Sequence, residues 1–278
     1  MSNTQGLWAD QDVCVEVAVE GPPRSIGVRS YTQLLEQVLL SLEEIDRFAL
    51  PGPTPRIDWA VADLAVNGEI RAVLAPRRTP PRRPPGTVSM PAINLVSGVG
   101  QLKEIAEIPE FFSPLTVERV KNIGRPIGSH GIERVEIRHV GPAPAIAVVD
   151  RETVDHARRA VSISRTAFGS LIGRLDVLTG RSRTGPRAQV LIEGTRQAVT
   201  VRAAPDQADM LRDAWQKRVA VAGELRRNAA GQPIQLDLTE LTILPERRPL
   251  SAWEILGIAP KWTGDLTTEE FIREARRG

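Results

Sequence analysis

Three histidines, His130, His139 and His156, and one cysteine, Cys14, are the side chains best suited to metal ligation or nucleophilic chemistry. No two histidines stand in an HxxxH spacing and a lone cysteine makes no zinc set, so no metal site is expected. His139 falls at a strand end and His156 on a helix, ordinary surface or boundary positions. Cys14 lies in the alternating run Val13-Cys14-Val15-Glu16-Val17 and reads as a small buried hydrophobe. Asp58 and Asp63 stand an odd number of residues apart on one predicted strand, so they face opposite sides and form no acid–base pair. Glu43, Glu44 and Asp46 read as the solvated face of a helix. Ser97-Gly98-Val99-Gly100 lacks the full glycine spacing of a phosphate cradle and reads as a loop. Nucleophile-elbow, kinase and P-loop patterns do not occur. A non-enzyme without a cofactor is expected.

Guanidinium chemistry remains. Arg77, Arg78, Arg82 and Arg83 stand in PRRTPPRRPPG, and Arg174, Arg181, Arg183, Arg187, Arg196 and Arg202 are spread over the third quarter of the chain. Arg273, Arg276 and Arg277 close it. A guanidinium recognises phosphate or carboxylate through paired N–H donors. The 36 Lys+Arg against 34 Asp+Glu give a net charge of +2, too even to declare a nucleic-acid binder by itself.

These arginines need elements to hold them. Val13, Val15, Val17 and Val19 alternate with acids, a strand signal. From Tyr31 to Ala49 the apolar residues fall at helical spacing, with Ser30 as a plausible N-cap. Asn67-Gly68 marks a hairpin between two strands. Residues 1–75 thus form one α+β region, 76–86 a proline–arginine linker or surface loop, and 87–165 a second α+β region. Residues 166–245 give strand, strand, strand, helix, strand, strand, with the helix over 205–217 and Trp215 on its apolar side as core. Gly169 and Gly173 permit a bend in the first of these strands.

That element order, with the phrase KRVAVAGELRRNAAGQPIQLDLTELTIL, resembles the OB-fold. The resemblance implies a five-stranded barrel that binds single-stranded nucleic acid through a basic groove and aromatic platforms. Arg174, Arg181, Arg183, Arg187 and Arg202 would supply the charge. Only Phe168 and Trp215 are aromatic in the segment, so stacking surface is short.

Residues 246–278 follow as a tail. Thr267-Thr268-Glu269-Glu270 fits a capping box ahead of a short terminal helix, which is too short to be stable alone. The phrase GIAPKWTGDLTTEEFIREAR resembles the C-terminal tails of VapB-type antitoxins, which wrap PIN-domain ribonucleases. The resemblance implies apolar anchors at Trp262, Leu266, Phe271 and Ile272, and a basic plug, Arg273 or Arg276, for the partner's acidic metal site; Trp253, apolar and outside the barrel's elements, is a further partner-binding candidate. The expected fold is therefore α+β: small N-terminal α+β regions, an OB-like five-stranded barrel and a C-terminal helical tail. The leading expectation is an antitoxin that binds and inhibits a co-encoded PIN-type nuclease. The alternative is an accessory protein that binds single-stranded nucleic acid or DNA through the barrel. The absence of a signal-peptide pattern or a long apolar run sets the expectation of a prokaryotic cytoplasm and no membrane.

Overall fold

The computed structural model describes residues 13–22, 25–50, 56–77, 83–84, 86–129, 131–141, 144–180, 185–246 and 273. The elements run β1 (Cys14–Glu20), α1 (Val28–Ala49), β2 (Trp59–Val66), β3 (Glu69–Pro76), α2 (Met90–Glu104), α3 (Pro114–Gly124), β4 (Arg134–Val140), β5 (Ala145–Val149) and α4 (Arg151–Ala160). Next come β6 (Arg165–Thr179), β7 (Arg187–Ile192), β8 (Ala198–Arg202), a 3-10 turn (Pro205–Gln207), α5 (Ala208–Asp213), β9 (Arg218–Arg227) and β10 (Pro233–Ile243). The fold is mixed α+β. No helix among the described residues is long and apolar enough to cross a membrane.

The first sheet has the order β2-β3-β1-β4-β5 and is antiparallel throughout. Alternation in β1 buries Val15, Val17 and Val19 completely. They join Leu34, Val38, Leu42 and Ile45 of α1, Leu95 and Leu102 of α2 and Val117 and Val120 of α3 in one core. The opposite face carries an ion-pair lattice: Arg138 bonds Glu16 and Glu136, and Arg134 bonds Glu20 and Glu136. Because β1 lies between β3 and β4, residues expected in two separate α+β regions form a single sheet over a shared core. Of the arginine–proline stretch, residues 78–82 and 85 lie outside the described residues. Arg83 is buried, not a solvated linker residue, and its guanidinium meets Asp46 in a two-pronged pair.

Five strands of the second sheet close into a ring in the order β10-β8-β7-β6-β9. The β8–β10 pairing is parallel and the others are antiparallel, so the third strand meets the fifth. Leu175, Val190, Val201, Val219, Val221 and Leu236 fill the interior, with Leu211 from α5. Two turns of this barrel dock on the first layer. Gln232 accepts from the Ile108 N–H at 2.7 Å and donates to the Ile108 carbonyl at 3.0 Å, which Gln197 also reaches at 2.9 Å. The Asn228 side chain donates to the Ala160 carbonyl at 2.9 Å. Residues Met1–Leu244 form one unit and Pro245–Gly278 another.

Several local expectations differ from the fold. Ser97–Gly100 is not a loop but the middle of α2, where a Cβ on Gly98 would lie 2.4 Å from the Phe112 ring. Close packing, not flexibility, accounts for that glycine. The first helix begins at Val28 with Gly27 as N-cap, so Ser30 lies inside it. His139 is buried, Cys14 is half-buried and α5 stops at Asp213. Trp215 lies beyond α5 and is 54% exposed, not core.

Candidate functional site

The side chains that organise the cleft between the two layers come from α1. Ser41, Glu44 and Phe48 recur at i, i+3 and i+7, so they continue the apolar stripe and are buried with it. Glu44, read from sequence as solvated, is the hub of a network. Its Oε1 accepts from Ser113 Oγ at 2.8 Å and from Gln189 Nε2 at 2.9 Å. Its Oε2 accepts from Thr116 Oγ1 at 2.7 Å and Arg119 Nη1 at 2.6 Å. One carboxylate thereby joins α1, α3 and β7. Burial pushes the Arg119 guanidinium below its ordinary value, against the pull of Glu44 and Glu43. Asp46, on the same helix, is also buried and takes Arg83 together with the Ile57 N–H at 3.2 Å. Removing one member of such a buried charged pair leaves the other uncompensated, so these contacts fix the position of α1.

Beside that hub lies a hollow of about 440 Å³ whose lining includes Arg47, Arg119, Arg187 and Thr200. It shares Arg47 and Val177 with a smaller hollow of about 280 Å³ bordered by Arg56, Asp176, Trp215 and Gln216. The guanidiniums of Arg47 and Arg187 make no hydrogen bond or ion pair among the described residues, so two cationic groups in one cleft have their N–H donors free, with the Arg47 charge acting on Asp176 from a distance. At its end the exposed indole of Trp215 is anchored by its Nε1 donating to the Asp176 carbonyl at 3.0 Å.

The backbone is irregular at this point. The β6–β7 register shifts between Leu175 and Val177, which makes Asp176 the extra residue of a bulge. Gln216 adopts a φ of 62°, in the left-handed region that disfavours side chains. The Asp176 side chain is 5% exposed and neither carboxylate oxygen has a hydrogen-bond partner. Burial pushes its carboxyl above the ordinary range, while Arg56, Arg47 and Arg174 pull the other way.

The residues expected to bind nucleic acid are only partly brought together. Arg187 and Arg202 are register partners on β7 and β8, which places two like charges side by side. Arg174 stands on β6 opposite Arg218, whose own guanidinium is held by Glu193. Arg196 lies over the Phe111 ring at 5.1 Å and 3.9 Å from Glu110, so the structure uses it at the seam between the layers. Arg181 and Arg183 lie outside the described residues, as do Trp253, Trp262, Leu266, Phe271, Ile272 and Arg276 of the tail; Arg273 is described and exposed. Phe168, on the outer surface of β6, is 73% exposed. Sequence reasoning missed Arg47 and misplaced Trp215. For Trp215 the period misled: it stands four residues after Leu211, at helical spacing, yet α5 ends at Asp213. For Arg47 no signal existed, because its partner surface is more than a hundred residues away in sequence.

Chemically, the cleft offers cations and an aromatic face. Among the described residues no group of three acidic, histidine or cysteine side chains is placed to hold a metal ion. Neither a protein-family model nor a curated protein matches the sequence.

Proposed function

We propose that this chain is a non-enzymatic binding protein whose barrel, of the OB type, holds single-stranded nucleic acid in the cleft against α1. The observation that carries the reading is an exposed Trp215 at the end of a cleft in which Arg47 and Arg187 are both free. Free guanidiniums suit phosphates, and an indole offers a base a stacking face. Support for the OB type comes from the ring order β6-β7-β8-β10-β9, with the helix between its third and fourth strands. A prokaryotic cytoplasm is the setting this reading implies. The test is fluorescence anisotropy with a labelled oligo-dT. Trp215→Ala is expected to weaken binding about tenfold, in line with roughly 1–3 kcal/mol per stacked base. Wild-type affinity in Trp215→Ala combined with Arg187→Ala would remove the cleft from consideration.

A second reading concerns the tail. Residues Pro245–Gly278 form a unit of their own after the last barrel strand ends at Ile243. That division favours a segment offered to a protein, and the antitoxin-like phrase names a PIN-type ribonuclease as that partner. A chain ending at Leu244 keeps every barrel strand. It is expected to fold and to lose neutralisation of the co-encoded nuclease. Full neutralisation by the shortened chain would end this reading.

A further inference from the structure

We infer that the groove between the C-terminal end of α3 and the first turns of α4 is a second, separate phosphate-binding surface, which takes the backbone of a nucleic acid strand without reading its bases. The groove has a volume of about 570 Å³ and is lined by Lys121, Arg125, Arg151 and Arg158, with Asp155 as its acidic member among the described residues. Lys121 is held by Glu118, and Arg158 bonds Asp155 at 2.6 Å. The guanidiniums of Arg125 and Arg151 have neither a hydrogen bond nor an ion pair among the described residues.

The placement of Arg151 carries the argument. Lys121 and Arg125 sit at the C-terminal end of α3, where the helix dipole favours cations, so stability alone explains them. Arg151 is different. It opens α4, at the end where a cation is disfavoured and an acid would be expected. Its guanidinium lies against the turn at Gly128, whose φ of 77° is in the left-handed region that favours glycine.

The neighbouring surface fits the same ligand. A second groove of about 560 Å³ shares Asn122 and Arg125 with the first and adds Ser30, Gln33, Gln37 and Ser129, with Glu36 as its acidic member among the described residues. Arginine and lysine with serine, asparagine and glutamine form the set that contacts phosphate and sugar. No aromatic side chain among the described residues lines either groove, so no base is stacked there. Ile127 and Val154, the large apolar members of the α3–α4 groove, are half-buried, so it has nothing to insert into a lipid surface. The inference does not depend on the barrel cleft.

The experiment measures anisotropy of a labelled oligo-dT on the full chain across a salt series, with three variants and the combination of the first with the third. Arg125→Gln with Arg151→Gln is expected to weaken binding about tenfold at low salt. It should also reduce the slope of log affinity against log salt by about 1.4, at roughly 0.7 per lost contact on a single strand. Arg125→Lys with Arg151→Lys keeps both charges and is expected to restore most of the affinity and slope. Arg47→Ala with Arg187→Ala and Trp215→Ala, the cleft variant, is expected to retain salt-dependent binding that adding the glutamine pair abolishes. An unchanged slope and affinity in the glutamine pair overturns the proposal, whatever the cleft variant does. Equal loss in the lysine and glutamine pairs also overturns it, because charge would then not be the cause. Binding of pyrophosphate at the groove with no effect of the glutamine pair on oligo-dT would overturn it in favour of a small-anion site. Should the glutamine pair lose its far-ultraviolet circular dichroism, the single Arg151→Gln, at the exposed first turn of α4, serves with an expected slope change of about 0.7.

Discussion

Asp176 illustrates how one residue sets conditions for its surroundings. Its carboxylate is buried at a bulge, without a hydrogen bond, beside Arg56, Arg47 and Arg174. Burial outweighs those cations and raises its pKa from 3.8. The folded chain therefore keeps this proton to higher pH than the unfolded chain does. Stability falls as pH rises from 3.8 through the raised value and stays lower above it. Asp176→Asn is expected to remove that fall and to be more stable than wild type at neutral pH by about 1 kcal/mol, the scale of an unsatisfied buried polar group. The difference should vanish below the ordinary carboxylate range. Urea unfolding at pH 3, 5 and 7 measures it, and an equal gap at all three values would show that titration of Asp176 is not its source. Glu44 shows the opposite solution: an equally buried acid with four donors around it.

Among the elements, the barrel strands depend on two glycines at close approaches. A Cβ on Gly223 of β9 would lie 2.0 Å from the Asp237 carbonyl oxygen of β10, and one on Gly173 of β6 would lie 2.2 Å from the Leu191 carbonyl oxygen of β7. Both obstacles are backbone, so no side-chain movement relieves them. Gly223→Ala is expected to destabilise the barrel by about 2 kcal/mol, within the range for overpacking. Thermal melting would show it, and a wild-type midpoint would mean that β10 can shift freely. The helices rest on different chemistry. Ser113 and Asp150 close capping boxes on α3 and α4, with Thr116 and Thr153 as their partners. In α4, burial pushes the Asp150 carboxyl up, but the Thr153 N–H, the Thr153 hydroxyl and Lys103 outweigh it and hold its pKa below the ordinary value. The caps set where the helices begin, and so where Arg119 and Arg151 stand.

At the scale of the whole molecule, sheet layer and barrel belong to one unit and share a polar seam. The Gln232 amide both accepts from and donates to the Ile108 backbone, and the Asn228 amide reaches Ala160. Unfolding of residues 1–244 is therefore expected to be a single transition, with circular dichroism and tryptophan fluorescence superimposing. Gln232→Ala removes two inter-layer hydrogen bonds and leaves the Ile108 N–H unpaired, while the Ile108 carbonyl keeps its bond from Gln197. It is expected to lower stability by about 2 kcal/mol. If the two probes separate already in the wild type, the layers fold independently and the seam contributes little. The cleft exists because of this seam: the docked turns hold β7 beside α1, and Arg187 beside Arg47.

The chain by itself determined what local physics determines. Alternation placed β1, Asn67-Gly68 placed the β2–β3 hairpin, and apolar periodicity placed α1. The strand and helix order of residues 166–245 was legible in the same way, because each strand has its own period and each turn its own glycine or asparagine. Burial of Glu44, Asp46 and Arg83 was not legible. A charged side chain is exposed or buried according to what lies across from it, and those partners come from α3, β7 and a loop far away in sequence. Exposure of Trp215 and the meeting of Arg47 with Arg187 were decided in the same way, by how the barrel docks on the sheet layer. Period and turn chemistry act over a few residues and can be read along a line; proximity between distant segments is a property of the closed structure alone.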